Sequence, residues 1–179
     1  MAIESKVFTA KDGRKVVLRS VKWEDLDDLL EMINSLVEED ADITRTKKVT
    51  RAEEAEWLGR YLAQMEKKEI INCAAEVKGK VIANSEIGKR EDPMSHVGGF
   101  GIAIKQGYRN IGIGTQIMQS LIEESKKAGL RILVLDVFNS NCIAKHLYRK
   151  MGFKEAGRIP KGIHKNGEYV DLIRMTLEL

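Results

Sequence analysis

Hydrophobic positions along this chain switch between two spacings, and each switch marks an element. Two short runs with apolar centres, Lys6 to Thr9 and Lys15 to Arg19, flank an Asp12-Gly13 turn, which predicts a hairpin. From Trp23 to Val37, Leu26, Leu29, Leu30, Ile33, Leu36 and Val37 recur at three- and four-residue intervals, the pattern of a helix. A second helix is predicted after Thr50, with Glu53 at the capping-box position and Trp57, Leu58, Tyr61, Leu62 and Met65 on its inner face. Ile70 to Val77 and Lys80 to Lys89 read as strands joined by a Lys78-Gly79 turn, and Val97 to Ile104 reads as a further strand. Ile117, Met118, Leu121, Ile122 and Ala128 line a helix that begins near Gly112. Arg131 to Phe138 is strand-like, and a last pair, Phe153 to Ile159 and Tyr169 to Leu177, brackets a polar loop containing Asn166-Gly167. With no Pro- or Ser-rich linker and no internal repeat, residues 1–179 are expected to form a single domain of the α+β (mixed α/β) class.

The junction between the Val97–Ile104 strand and the next helix carries chemistry. It reads Tyr108-Arg109-Asn110-Ile111-Gly112-Ile113-Gly114-Thr115. The first N–H groups of a helix have no intrahelical partners, and the helix dipole adds partial positive charge there, so such a junction suits a phosphate. Glycines at 112 and 114 allow close backbone approach, and Arg109 supplies a planar charge that pairs with phosphate oxygens. The P-loop is excluded, because Thr115 and Gln116 follow Gly114 where Lys and Ser or Thr are needed. The dinucleotide fingerprint is excluded as well, since its third glycine position holds Ile117. A diphosphate-bearing cofactor of another kind is the expectation.

A second motif lies about thirty residues on. In Asn141-Cys142-Ile143-Ala144-Lys145-His146-Leu147-Tyr148-Arg149-Lys150-Met151-Gly152-Phe153, the residues Ala144, Leu147, Tyr148 and Met151 share one helical face, and Gly152 stops the helix. Taken together, Arg109-x-x-Gly-x-Gly and Asn141-x-x-Ala-x-x-Leu-Tyr-x-x-x-Gly-Phe closely resemble the GNAT superfamily of N-acetyltransferases, most specifically from His96 to Gly157. The resemblance implies a central twisted sheet, mostly antiparallel, with one parallel, splayed strand pair and about four flanking helices. It implies acetyl-CoA as co-substrate, lying where Val97–Ile104 and Arg131–Phe138 part. Ile102, Ala103 and Ile104 would border the pantetheine arm, and the turn Arg109, Asn110, Ile111, Gly112, Ile113, Gly114, Thr115 would take the pyrophosphate. Asn141 matches the family position that bonds the cofactor arm or holds the strand end; as a residue it is also a favoured helix N-cap. Tyr148 matches the position that protonates the departing CoA thiolate, and a tyrosine, with an ordinary pKa of about 10, still holds its proton at neutral pH.

The attacking amine must lose a proton. Glu86, on the strand before the cofactor strand, leads as general base. His96 comes next, then Glu168 and Asp171 at the last hairpin, with ordered water as the other route. Cys142, in the first turn of its helix, reads as a small helix residue rather than a nucleophile.

Composition narrows the partners. Charged residues make up 32% and the formal net charge is +3, with both signs interspersed, so no basic stripe points to nucleic acid. Cys73 and Cys142 form neither a metal spacing nor a disulfide framework. No apolar leader or membrane-spanning run is present, so the cytoplasm is the expected address. The acceptor class stays open among a protein N-terminus, a lysine, a polyamine and another small amine. The acidic run Glu38-Glu39-Asp40-Ala41-Asp42 reads either as an attractor for a cationic acceptor or as a solvated helix end. A homodimer is compatible with the resemblance. A non-catalytic acyl-CoA sensor is the alternative, though degenerate members of that kind usually lose the tyrosine or the glycine turn, and both are present here.

Overall fold

The structure is a computed structural model that describes residues 3–179. Its strands are β1 (Lys6–Thr9), β2 (Lys15–Arg19), β3 (Ile70–Val77), β4 (Lys80–Lys89), β5 (Val97–Ile104), β6 (Ile132–Phe138), β7 (Lys154–Lys165) and β8 (Glu168–Glu178). Its helices are α1 (Leu26–Glu38), α2 (Arg51–Glu66), α3 (Ile113–Lys127) and α4 (Cys142–Lys150), with one 3-10 turn at Trp23–Asp25. The strands form one sheet in the order β1-β2-β3-β4-β5-β6-β8-β7. Every neighbouring pair is antiparallel except β5–β6. This is the mixed architecture the motifs implied.

Two cores cover the two faces of the sheet. Leu26, Leu29, Met32 and Leu36 of α1 pack with Leu58, Tyr61 and Met65 of α2 on one face. On the other, Ile113, Ile117, Met118 and Leu121 of α3 and Tyr148 of α4 pack on Ile71, Cys73, Ile87 and Leu133. Strand β3 runs between both cores, and its first six residues are all buried. Thr50 caps α2 as the sequence predicts: its hydroxyl accepts from Glu53 N–H, and Glu53 Oε2 accepts from Thr50 N–H at 2.7 Å. Among the described residues, no helix is long and apolar enough to cross a membrane.

The last hairpin departs from expectation. Instead of a polar loop, β7 runs through to Lys165, and β8 begins at Glu168. Asn166 and Gly167, with φ of 52° and 81°, make the two-residue turn that such a pair favours. Pro160 obscured this strand, because proline cannot donate to a ladder. Here β7 is an outer strand, and a register shift between Ile159 and Ile163 absorbs the proline.

Candidate active site

The site begins where the parallel pair comes apart. β5 and β6 are in register at Val97–Ile132, Gly98–Leu133 and Gly99–Val134, and no further. Beyond that seam β5 stays with β4 as far as Ile104, while β6 stays with β8 as far as Phe138. Gly98 makes the seam close: a Cβ there would lie 2.5 Å from Ile87 Cγ2 and 2.9 Å from Leu130 Cδ1. Ile102, Ala103 and Ile104 therefore lie half-buried on the stretch of β5 that has parted from β6.

The turn after β5 is shaped by three residues of positive φ: Gly107 (82°), Asn110 (64°) and Gly112 (94°). No side chain caps α3, and its first turn holds no acidic residue, so its start presents backbone N–H groups and positive dipole. Gly112 is required by its left-handed backbone. The missing side chain of Gly114 leaves room for packing. A Cβ there would meet Leu147 Cδ2 at 3.0 Å and Ile104 Cδ1 at 3.3 Å, inside the protein. Arg109 does not stand free: Nε donates to Ile104 O at 2.8 Å, and the guanidinium pairs with Glu39 at the end of α1. Ile111 accepts from Lys11 N–H at 3.0 Å, and Thr115 lies half-buried in the first turn of α3.

The β1–β2 turn also belongs to this region, which the sequence did not disclose. Arg14 donates to Gly107 O at 2.6 Å and lies 4.3 Å over the Tyr108 ring. Lys11 is thereby brought beside Gly112, its Cγ 4.0 Å from where a Cβ would stand.

Across the seam, Asn141 Oδ1 accepts from Ala144 N–H at 3.0 Å, the N-cap role. Tyr148 is 7% exposed, edge-on to Phe100 at 6.0 Å between ring centroids and tilted against Phe153 at 6.1 Å. Phe100 is the first β5 residue past the seam, so Tyr148 stands at the fork. Burial pushes its hydroxyl up to about 12. Cys142 is exposed in the first turn of α4.

A cleft of about 330 Å³ opens on the α1–α2 face of the sheet. Its floor is Asn84, Ser85 and Glu86 of β4 with Gly101, Ile102 and Ala103 of β5. Its walls come from Leu29, Met32 and Ile33 of α1, Glu54 and Trp57 of α2, and Ile43, Thr44 and Arg45 of the loop between them. Glu86 faces Gly101 in the ladder and stands beside the Tyr61 hydroxyl. Burial, then the Glu86 charge, raises Tyr61 far above its ordinary value. Tyr61 in turn stacks on Trp57 at 4.7 Å and accepts from Asn72 Nδ2 at 3.0 Å.

The other base candidates lie elsewhere. His96 is exposed at the paired end of β5, six residues before Ile102, about 20 Å along an extended strand. Glu168 is exposed at the tip of the last hairpin. Asp171 accepts from Lys161 N–H at 2.7 Å and pairs with Arg158, and these hold its carboxyl below the usual range. The acidic run is largely occupied within the fold: Glu38 pairs with Lys48, Glu39 with Arg109, and Asp40 with Lys165 at 2.8 Å.

A sheet forked at its parallel pair, an uncapped glycine-turned helix at the fork and a buried tyrosine opposite form the arrangement that the resemblance to the GNAT superfamily implied. Comparison with known proteins agrees. The profile of the Acetyltransferase (GNAT) family matches residues 29–153, and the chain belongs to that family. It is 33% identical over 112 residues to the L-amino acid N-acetyltransferase AaaT of Escherichia coli strain K12, covering 61% of this chain and 67% of that one. It is 32% identical over 78 residues to the L-methionine sulfoximine/L-methionine sulfone acetyltransferase of Pseudomonas paraeruginosa, covering 44% of this chain and 45% of that relative. The chain thus spans less than half the length of the latter. The fold superposes on yncA of Salmonella typhimurium, solved with acetyl-CoA, with a TM-score of 0.80 at 21% identity, covering 91% of this chain and 93% of that one.

Proposed function

We propose that this protein transfers the acetyl group of acetyl-CoA to the primary amine of a small molecule by direct attack in a ternary complex. The observation that carries this reading is the fork at Phe100, with Tyr148 on one side and the start of α3 on the other. The pyrophosphate binds the N–H groups from Gly112 to Thr115, with Arg109 and Asn110 completing the turn. The pantetheine arm runs along Ile102 to Ile104, beyond the end of the β5–β6 ladder, with Ile104 O already taken by Arg109 Nε. A backbone N–H there polarises the thioester carbonyl, where negative charge builds as the amine attacks.

The amine enters from the cleft above Gly101, and Glu86, directly or through water, takes its proton. The new C–N bond forms, the tetrahedral intermediate collapses, and the C–S bond breaks. Tyr148 then gives its proton to the leaving thiolate, and burial keeps that proton in place throughout the neutral range. Asn141 fixes the start of α4, and with it the position of Tyr148. A cleft of about 330 Å³ accommodates a small molecule, and relatives named for amino-acid acceptors are consistent with that. The direct test is thiol release from acetyl-CoA against a panel of amino acids, polyamines, aminoglycosides and short peptides. Acetylation of a small amine is the expected result. Tight CoA binding with no turnover on any amine would overturn the reading in favour of a sensor.

A further inference from the structure

The acceptor cleft has a charge pattern of its own. Its three charged residues are Glu86 on the floor, Glu54 on the α2 wall and Arg45 on the loop wall. Among the described residues, neither Arg45 nor Glu54 has an ion pair within 4 Å or a side-chain hydrogen bond, and they act on each other only across a distance. Glu54 is 6% exposed, and burial raises its carboxyl above the ordinary range. Arg45 is itself exposed, at the open side of the cleft, and a guanidinium there with its fork of donors unused is placed to take a carboxylate bidentately as it enters.

Arg45 does not sit on a loose loop. Asn34 closes one end of its segment, donating to Val49 O at 2.9 Å and accepting from Val49 N–H at 2.8 Å. The other end is latched to the last hairpin: Lys165 pairs with Asp40 at 2.8 Å, and Asn166 donates to Asp40 Oδ2 at 2.6 Å. Between these ties, Ile43, Thr44 and Arg45 are held as a wall of the cleft.

Resting on the acetyl transfer proposed above, we infer that the acceptor is a free, neutral α-amino acid, with its carboxylate on Arg45 and its amine at Glu86. Two opposite charges at separate places in one cleft, Glu86 on the floor and Arg45 at its open side, match the two ends of a zwitterion. The remaining wall, Leu29, Met32, Ile33 and Trp57, receives an uncharged side chain. Glu54, on the Arg45 side, repels a second carboxylate, so aspartate and glutamate are rejected. A polyamine has nothing to offer Arg45, and a peptide N-terminus has replaced the carboxylate by an amide.

The test compares each of leucine, methionine and phenylalanine with its own amide, alongside aspartate and spermidine, in thiol release from acetyl-CoA. Expected is a kcat/KM at least tenfold higher for the free amino acid than for its amide, with aspartate and spermidine poor. Arg45→Met should bring the acid-to-amide ratio toward one, through a rise in KM for the acid rather than a fall in kcat. Arg45→Lys should restore part of the ratio, and Glu54→Gln should raise kcat/KM for aspartate. Amides or spermidine as the better acceptors, or an acid-to-amide ratio indifferent to Arg45→Met, would overturn the inference while leaving acetyl transfer standing. Silence on every amine with CoA still bound would overturn both.

Discussion

Asn72 offers the sharpest test of the packing. It is fully buried in the middle of β3, and its amide makes four contacts. Oδ1 accepts from Val21 N–H at 2.8 Å. The two Nδ2 hydrogens are shared among Asn84 Oδ1 at 2.7 Å, Tyr61 Oη at 3.0 Å and Ser85 O at 3.1 Å. Asn72→Ala strands the buried Val21 N–H, an orphan worth about 1–3 kcal/mol, and removes the donor from three acceptors. Ser85 O retains a ladder position and Asn84 is half-buried, so the total stays near ~3 kcal/mol rather than summing four full penalties. For a chain of 179 residues that corresponds to a fall in Tm of about 6–12 °C. Thermal unfolding followed by circular dichroism measures it. Asn72→Asp, which keeps an acceptor for Val21 but loses the donors, should also fall. A drop below about 2 °C for Asn72→Ala would refute the reasoning, since it would mean that these groups find partners without the amide.

Three further substitutions probe the site and the seam. Tyr148→Phe should lower kcat at least tenfold while leaving the Kd for CoA nearly unchanged, because a proton donor is lost but little surface. Since burial raises Tyr148 above its ordinary value, to about 12, the acid form persists as pH rises and is lost only near that value. The wild-type kcat should therefore show no alkaline limb from this group below about pH 10, the ordinary tyrosine value. Arg109→Ala should raise the Kd for CoA in titration calorimetry, by removing the phosphate contact proposed above and by loosening the turn that Arg109 ties to Ile104 and Glu39. Gly98→Ala should cost about 1–3 kcal/mol in chemical denaturation, because its Cβ would overlap Ile87 and Leu130.

Much of this was legible in the sequence because it is local. Thr50 with Glu53, the positive-φ glycines at 112 and 152 and the stripe through Leu147 and Tyr148 each declare themselves within a few residues. The polar residues that matter most declare nothing. Asn72 reads as one polar position in an apolar strand, and only the approach of β2, α2 and β4 makes it a hub. Glu54 looks like any helical glutamate until the Arg45 loop closes over it. The acidic run after α1 looked like a free surface because its partners, Arg109 and Lys165, lie 70 and more residues away. The reach of β7 was hidden by Pro160, whose tolerance depends on an outer position in the sheet that local pattern does not encode.

The brevity of the β5–β6 seam bears on how the molecule opens. It divides the sheet into a five-strand leaf, β1 to β5, and a three-strand leaf, β6, β8 and β7, each held by longer ladders of its own. Parting the leaves breaks a ladder of three residue pairs, whereas unravelling either leaf breaks many more. Native-state hydrogen exchange should therefore resolve two cooperative units, 3–104 and 132–179, that separate from each other at lower free energy than either melts. A thioester wedged at the fork would act as a clasp between those units, so CoA should slow exchange on both flanks of the seam at once.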